Sequence, residues 1–377
     1  VKDFVGSLAL ADHDILFKDI QIKTGKTDLK ADHVSLIADS SASFGRFVEE
    51  VRLDILLKRS VVSTSDLQFF LPFLKGSDES VEVSGRIAGT VAELKGRNIN
   101  VRYASGTRLE FDFDFSGLSD ITDAFIHVGV NTLVTSAADI ERVNVPGKGR
   151  IILPEVIHKL GNITFNGSFT GFVSDFVTYG KIGTEKGHIS TDLSVRPYQN
   201  NRFKIRGYLS GTGVDIGDLT GRPELLGKMS METTIDGFAS SLERIEGDLT
   251  GMIDSIQIND YIYRNVSVNG LFTEKTWDGS ISISDSNIRM DLLGMFDFRN
   301  DLPEFDFTLN LAESNLHELN IDKSDSTSAL SMLVTANFRG NNIDNLFGEI
   351  KLLNSTLRKY GNNLDLYNFS LKAFTEN

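Results

Sequence analysis

The sequence contains no cysteine, which removes disulfides, thiolate metal sites and thiol nucleophiles together and leaves the redox compartment unconstrained. Proline is scarce, with 6 in 377 residues, and tryptophan occurs once, at Trp277. No Pro/Ser linker, long charge block or low-complexity tract marks a domain boundary. Long apolar runs are missing too. The longest, such as Phe69 to Leu74, fall far short of the ~20 residues needed to cross a bilayer as a helix. Nor is there an excess of positive charge. The 52 acidic and 38 basic residues leave a net charge of -14, which repels phosphate backbones and offers none of the counterion release that nucleic-acid binding depends on. Nucleic acid is therefore not an expected partner. No charged and then apolar leader follows Val1, and Asn377 stands in mid-pattern, so we expect a piece of a longer protein whose membrane anchor lies elsewhere.

Signatures of catalysis are equally sparse. His13, His33, His127, His158, His188 and His317 are dispersed, and none belongs to a metal-spaced cluster. Asp12-His13-Asp14 reads as an exposed turn, because three adjacent residues on a strand cannot all face one ion. Thr24-Gly25-Lys26-Thr27 imitates the end of a phosphate-binding loop, yet the position five residues before Gly25 is Ile20, so a charged β-turn is expected. Gly147-Lys148-Gly149 and Gly211-Thr212-Gly213 lack a third glycine and a following helix and read as turn glycines. Asp112 and Asp114 share one strand face and read as a solvated outer surface, not as an acid/base pair flanking a bond. No nucleophile elbow is present, so the expectation is a chain that is not an enzyme and carries neither cofactor nor metal. Sequons at Asn162, Asn166, Asn265, Asn354 and Asn368 matter only in a eukaryotic secretory setting.

What is abundant is alternation. Leu109, Phe111, Phe113 and Phe115 alternate with Glu110, Asp112, Asp114 and Ser116, the period of a strand with one apolar and one wet face. The same period recurs at Phe203, Ile205 and Leu209, at Val266 and Val268, at Ile281 and Ile283, and at Phe305, Phe307, Leu309 and Leu311. With 33 Gly and 26 Phe spread along the chain, this predicts an all-β protein whose sheet is wet on one side, since buried parallel strands would read as continuous apolar runs.

A degenerate repeat accompanies the strands. Ser63-x-x-Asp66, Ser136-x-x-Asp139 and Thr212-x-x-Asp215 each offer a hydroxyl helix cap with an acid three residues on, and Asn315-Leu316 is a fourth, variant copy. Each precedes a strand and paired glycines: Gly89 and Gly96, Gly171 and Gly180, Gly237 and Gly247, Gly340 and Gly348. Approximate repeats are 1–62, 63–134, 135–212, 213–313 and 314–377, read as one array over 1–377. A unit with one apolar face cannot bury it alone, so neighbours should extend a continuous strip, with the short helices plugging its edge. Roughly 30 strands ~4.8 Å apart would make an array on the order of 140 Å. Asp322 to Ser328 is the strongest candidate for a loop.

The capped Asp-Ile/Leu helix followed by strands such as Met229 to Gly237 resembles the AsmA-like and TamB group of envelope proteins, as do Phe17 to Ile22 and Leu29 to Leu36. The resemblance runs over nearly the whole chain. It implies a long twisted sheet curled into an open groove with an apolar interior, in the periplasm, anchored at the inner membrane and reaching toward the outer one. It further implies phospholipid transport along that groove, support of outer-membrane protein assembly, and an Omp85-type barrel partner. The groove lining would then include Leu109, Phe111, Phe113, Phe115, Ile205, Leu209, Val266, Val268, Ile281, Ile283, Phe305, Phe307 and Leu309. From the residues alone two other readings stay open: a structural or adhesive β-repeat protein with a closed core and, ranked last, a carbohydrate-active β-helix. The latter would need repeated acids and aromatic platforms that a single Trp does not supply.

Overall fold

A computed structural model describes residues 2–68, 79–104, 106–118, 123–145, 149–199, 202–241, 244–342 and 345–373; the apolar run at 69–74 lies outside them, as do Gly147 and Lys148. The protein is all-β, and its chain falls into two compact units, Val1–Lys186 and Gly187–Asn377.

Unit 1 begins with β1 (Asp3–Ala11), β2 (Asp14–Lys23), β3 (Asp28–Ile37) and β4 (Arg52–Ser63). It continues with β5 (Ser80–Gly89), β6 (Glu93–Tyr103), β7 (Thr107–Ser116) and β8 (Phe125–Ser136). The two-residue strands β9 (Asn144–Val145) and β10 (Gly149–Arg150) pair only with each other, and β11 (Asn162–Gly171) and β12 (Phe176–Thr184) complete the unit. Apart from β9 and β10, each strand pairs antiparallel with the next, β8 joining β11 directly. Its helical pieces are a 3-10 turn at Ser41–Arg46, α1 (Phe47–Glu50), α2 (Thr64–Leu67), α3 (Ala137–Arg142) and α4 (Glu155–His158).

Unit 2 repeats the meander with longer strands: β13 (Gly187–Tyr198), β14 (Arg202–Asp215), β15 (Leu226–Ser241), β16 (Arg244–Ile258), β17 (Tyr261–Thr273) and β18 (Thr276–Ser284). After these come β19 (Ile288–Asp297), β20 (Glu304–Ser314), β21 (Ala329–Arg339), β22 (Phe347–Lys359) and β23 (Asn362–Ala373), with α5 (Ile216–Thr220) between β14 and β15. Every strand again pairs antiparallel with its successor. Among the described residues the long strands number 21, fewer than the thirty or so anticipated, because a strand reaches as many as 16 residues where the spacing assumed about a dozen per step, turns included. Among the described residues β1 pairs only with β2, and β23 only with β22, so each is an edge strand of its unit.

The helix signals mark chain reversals at one end of the strands. In unit 1, α2 follows β4 and α3 follows β8; in unit 2, α5 follows β14 and the turn at Asn315 follows β20. An even number of strands lies between successive signals within a unit, so each returns to the same rim. Ser136 caps α3 as expected, its Oγ accepting from the Asp139 amide at 3.2 Å. Two caps differ from the sequence reading. Thr212 lies inside β14, and Asp215 itself caps α5 by accepting from the Asp218 amide at 3.0 Å. Ser63 occupies the cap position of α2, but its hydroxyl meets Ser65 at 2.7 Å while Asp66 takes the Thr24 and Thr27 hydroxyls, each at 2.6 Å. Gly211 to Gly213 is likewise not a turn: it forms a bulge in β14, with Gly213 at φ 59°.

Candidate functional site

Antiparallel pairing puts directly opposed residues on one face, so the registers trace rows of side chains across each unit. In unit 1 one row runs Leu8, Phe17, Val34, Ile55, Ile87, Gly96, Phe113, Val128, Phe169 and Thr178, one residue per strand. A parallel row runs Leu10, Ile15, Leu36, Leu53, Gly89, Leu94, Phe115, Ile126, Gly171 and Phe176. Neither contains a charge.

Unit 2 carries four such rows, in order from one rim to the other. The first is aromatic: Phe272, Trp277, Phe296, Phe305 and Phe338 follow Val195, Ile205, Gly237 and Gly247 and lead to Gly348 and Ala373. Next comes a row with three glycines in succession, Gly270, Gly279 and Gly294, ending in Phe307, Ala336, Ile350 and Leu371. A third, aliphatic row passes through Leu209, Val268, Ile281, Leu292, Leu309, Val334 and Leu352. Met231, Ile253, Val266, Ile283, Met290, Leu311 and Met332 form the fourth. The expected lining residues thus fall on two apolar faces. Leu109, Phe111, Phe113 and Phe115 lie on that of unit 1; Ile205, Leu209, Val266, Val268, Ile281, Ile283, Phe305, Phe307 and Leu309 lie on that of unit 2.

Apart from residues 315–328 in unit 2, no second layer covers these faces among the described residues. Among the described residues, the strands make their substantial contacts only with sheet neighbours and adjoining short helices. Even so, Phe113 and Val266 are buried, which a flat single layer could not achieve. Curling of the sheet accounts for this, and glycines permit it: a Cβ on Gly279 would lie 2.5 Å from the Gly270 Cα, and one on Gly96 would lie 2.1 Å from the Phe113 ring. Stacked rings run along the strip, with Phe113 and Phe115 at 4.4 Å, Trp277 and Phe296 at 5.4 Å, and Phe305 and Phe338 at 4.8 Å.

The opposite face is polar. Arg97 donates to both oxygens of Asp114 at 2.7 and 3.0 Å, and Asp112 accepts from the Asn98 amide at 2.6 Å, so both acids are structural members of a wet face. Arg86 grips Asp54 through two bonds of 3.0 Å, and its guanidinium holds that carboxyl below its ordinary range. Hydrogen bonding to Arg206 does the same for Asp236. Asp12 to Asp14 form the β1–β2 turn and residues 24–27 the β2–β3 turn. Among the described residues no group of three or more His, Asp or Glu is placed to hold a metal ion, and no helix is long and apolar enough to cross a membrane.

One part of the unit 2 face is covered. Residues 315–328 fold over it and bury Leu319 against Ile288 and Leu311, with Tyr261 and Tyr263 packed alongside; Leu316 is buried as well. Asp322 to Ser328 has the expected loop form but is firmly tied down: Lys359 donates to Asp322 at 2.7 Å, the Tyr360 amide donates to Asp325, and Ser328 is 1% exposed. Asn259 and Asn320 exchange side-chain bonds to each other's carbonyls at 3.0 and 3.1 Å.

The alternation pattern overlooked lining residues such as Ile20, Ile99 and Leu357, because the phase slips before each. Asp19, Asn98, Asn265 and Asn354 adopt φ between 46° and 52°, a conformation that Asp and Asn tolerate best. Residues three apart then share a face: Phe17 with Ile20, Gly96 with Ile99, Tyr263 with Val266, and Leu352 with Ser355. An Asn or Asp between two out-of-phase apolar runs is the signal that would have located them. No protein family, curated protein or solved structure matches this chain.

Proposed function

We propose that this chain is a non-catalytic lipid carrier whose apolar faces hold phospholipid acyl chains while head groups stay in water. The observation that supports the reading is the set of uncharged rows that crosses every strand of each unit, uncovered among the described residues except by the 315–328 segment. Each methylene laid on such a surface gains roughly 0.8 kcal/mol, enough to retain a chain without covalent chemistry or a buried charge. Because each row stays apolar from one strand to the next, a lipid loses little on stepping from strand to strand. The TamB-like resemblance extends the proposal to a periplasmic bridge, anchored in the inner membrane by a segment outside this sequence, that delivers phospholipid toward the outer membrane. Support of outer-membrane protein assembly through an Omp85-type barrel is the accompanying role.

A vesicle assay tests the activity directly. Labelled phospholipid should move from donor to acceptor liposomes faster with the protein than without it, and Phe307→Arg should slow that transfer while leaving the fold intact. Transfer at the protein-free rate would refute the reading.

A further inference from the structure

The two rims of the unit 2 face are unlike, and the difference fixes how a ligand can lie there. At one rim all five chain reversals are linked: the Leu225 carbonyl accepts from the Asn259 amide at 2.8 Å, Asn259 exchanges bonds with Asn320, Asn287 accepts from the Asn315 amide at 2.9 Å, and Asp325 accepts from the Tyr360 amide. Beneath this girdle Ile288, Leu311 and Leu319 are at most 9% exposed. At the other rim the aromatic row is uncapped: Phe272 is 43% exposed, the remaining rings of the row are half-buried, and Phe298, just beyond β19 and packed on Phe305, is 51% exposed. Trp277 belongs to that row, and its indole Nε1, the single hydrogen-bond donor among the row's side chains, reaches over the Gly270 backbone.

Resting on the lipid-carrier reading, we infer that unit 2 takes phospholipid acyl chains lengthwise along its strands, carbonyl end at the Trp277 rim and terminal methyl against the 315–328 cap. Trp277 and Ile283, six residues apart on β18, mark the first and fourth rows, a separation of ~20 Å at about 3.4 Å per residue. That is long enough to hold one acyl layer, which is ~15 Å deep in a hydrocarbon core ~30 Å thick. Tryptophan favours the boundary between apolar chain and polar head, where its ring is buried and its N–H is satisfied. None of the four rows carries a charged side chain to neutralise a free carboxylate, so the geometry selects a phospholipid, whose phosphate remains outside, over a fatty acid. Movement of the lipid is then a sideways step from one strand to the next.

The single tryptophan makes the orientation measurable. The protein is loaded with phosphatidylcholine brominated at carbons 6 and 7 or at carbons 11 and 12 of the chain, bound lipid is quantified by phosphate analysis after gel filtration, and Trp277 quenching is compared. The inference predicts at least twofold stronger quenching by the 6,7 label, and the reverse order in a Trp277→Phe/Met332→Trp variant. Bound lipid with equal quenching by both labels would overturn the orientation and leave the carrier reading standing. Absence of bound lipid would overturn both, and tight binding of brominated free fatty acid in its place would overturn the choice of phospholipid.

Discussion

Two phenylalanines that alternate identically in the sequence occupy different environments. Phe113 is 7% exposed, stacked between Phe111 and Phe115 with its ring over Gly96, whereas Phe307 is half-buried on the open face. Phe113→Asp should therefore cost several kcal/mol and unfold unit 1, because an unpaired charge would replace a buried ring. Phe307→Asp should lower lipid binding with a nearly unchanged urea midpoint; parallel melts of the two variants separate the cases. Gly96→Ala places a methyl where the Phe113 ring now lies, and overpacking of this kind costs about 1–3 kcal/mol, readable as a lower denaturation midpoint. Equal stability of the Gly96→Ala protein would mean that the ring has room to move. At this scale the sequence was legible wherever alternation ran unbroken, as along β7 and β20. It was not legible across Asp19, Asn98, Asn265 and Asn354, since a left-handed residue changes which face follows and leaves the composition of the strand untouched.

Among the elements, the cap at 315–328 and the strand β23 depend on carboxylates with depressed pKa values. Hydrogen bonding to Lys359 pulls Asp322 well below its usual 3.8, and the Tyr360 amide lowers Asp325. A carboxyl depressed by folding contributes its full stability above the unfolded value and loses it as pH falls toward the folded one. Denaturant unfolding of unit 2 should accordingly hold level from pH 7 to about 5 and weaken below about 4. An Asp322→Asn/Asp325→Asn protein should start less stable at pH 7 and show a flatter decline, and an unchanged slope would remove the carboxylates from the account. Glu349 is held down to about 2, chiefly by Lys351 and then by Ser370, and it also pairs with Lys372 of β23 at 3.2 Å. Glu349→Gln should speed amide exchange in β23 relative to β21. These exposed ion pairs each contribute little on their own, so the effect should stay local. The sequence marked the starts of α2 and α3 and the neighbourhood of α5, missed α1 and α4, and did not show how the marked helices are fixed: Asp215 replaces Thr212 as a cap because β14 runs on through the Gly213 bulge, and Asp66 serves a neighbouring turn in place of its own helix. The insertion bearing α3, α4 and the β9–β10 pair has no periodic signature, and local pattern could not announce it.

For the whole molecule, the claim to be tested is that an array of strands with one bare apolar face exists to hold lipid. A protein that used the same alternation to close a dry core would bury its rows under a second layer, whereas among the described residues only the 315–328 segment covers any part of them. The strips are also uncharged from strand to strand, whereas the opposite face carries the ion pairs together with a few exposed apolar residues such as Met252, Leu271 and Leu293. The most direct measurement is native mass spectrometry of the chain purified from a lipid-containing host, combined with photo-crosslinking from positions 115, 205 and 307. The account predicts co-purified phospholipid that crosslinks at all three positions, in both units. Lipid-free protein with silent probes at every position would contradict it and leave the array a structural one.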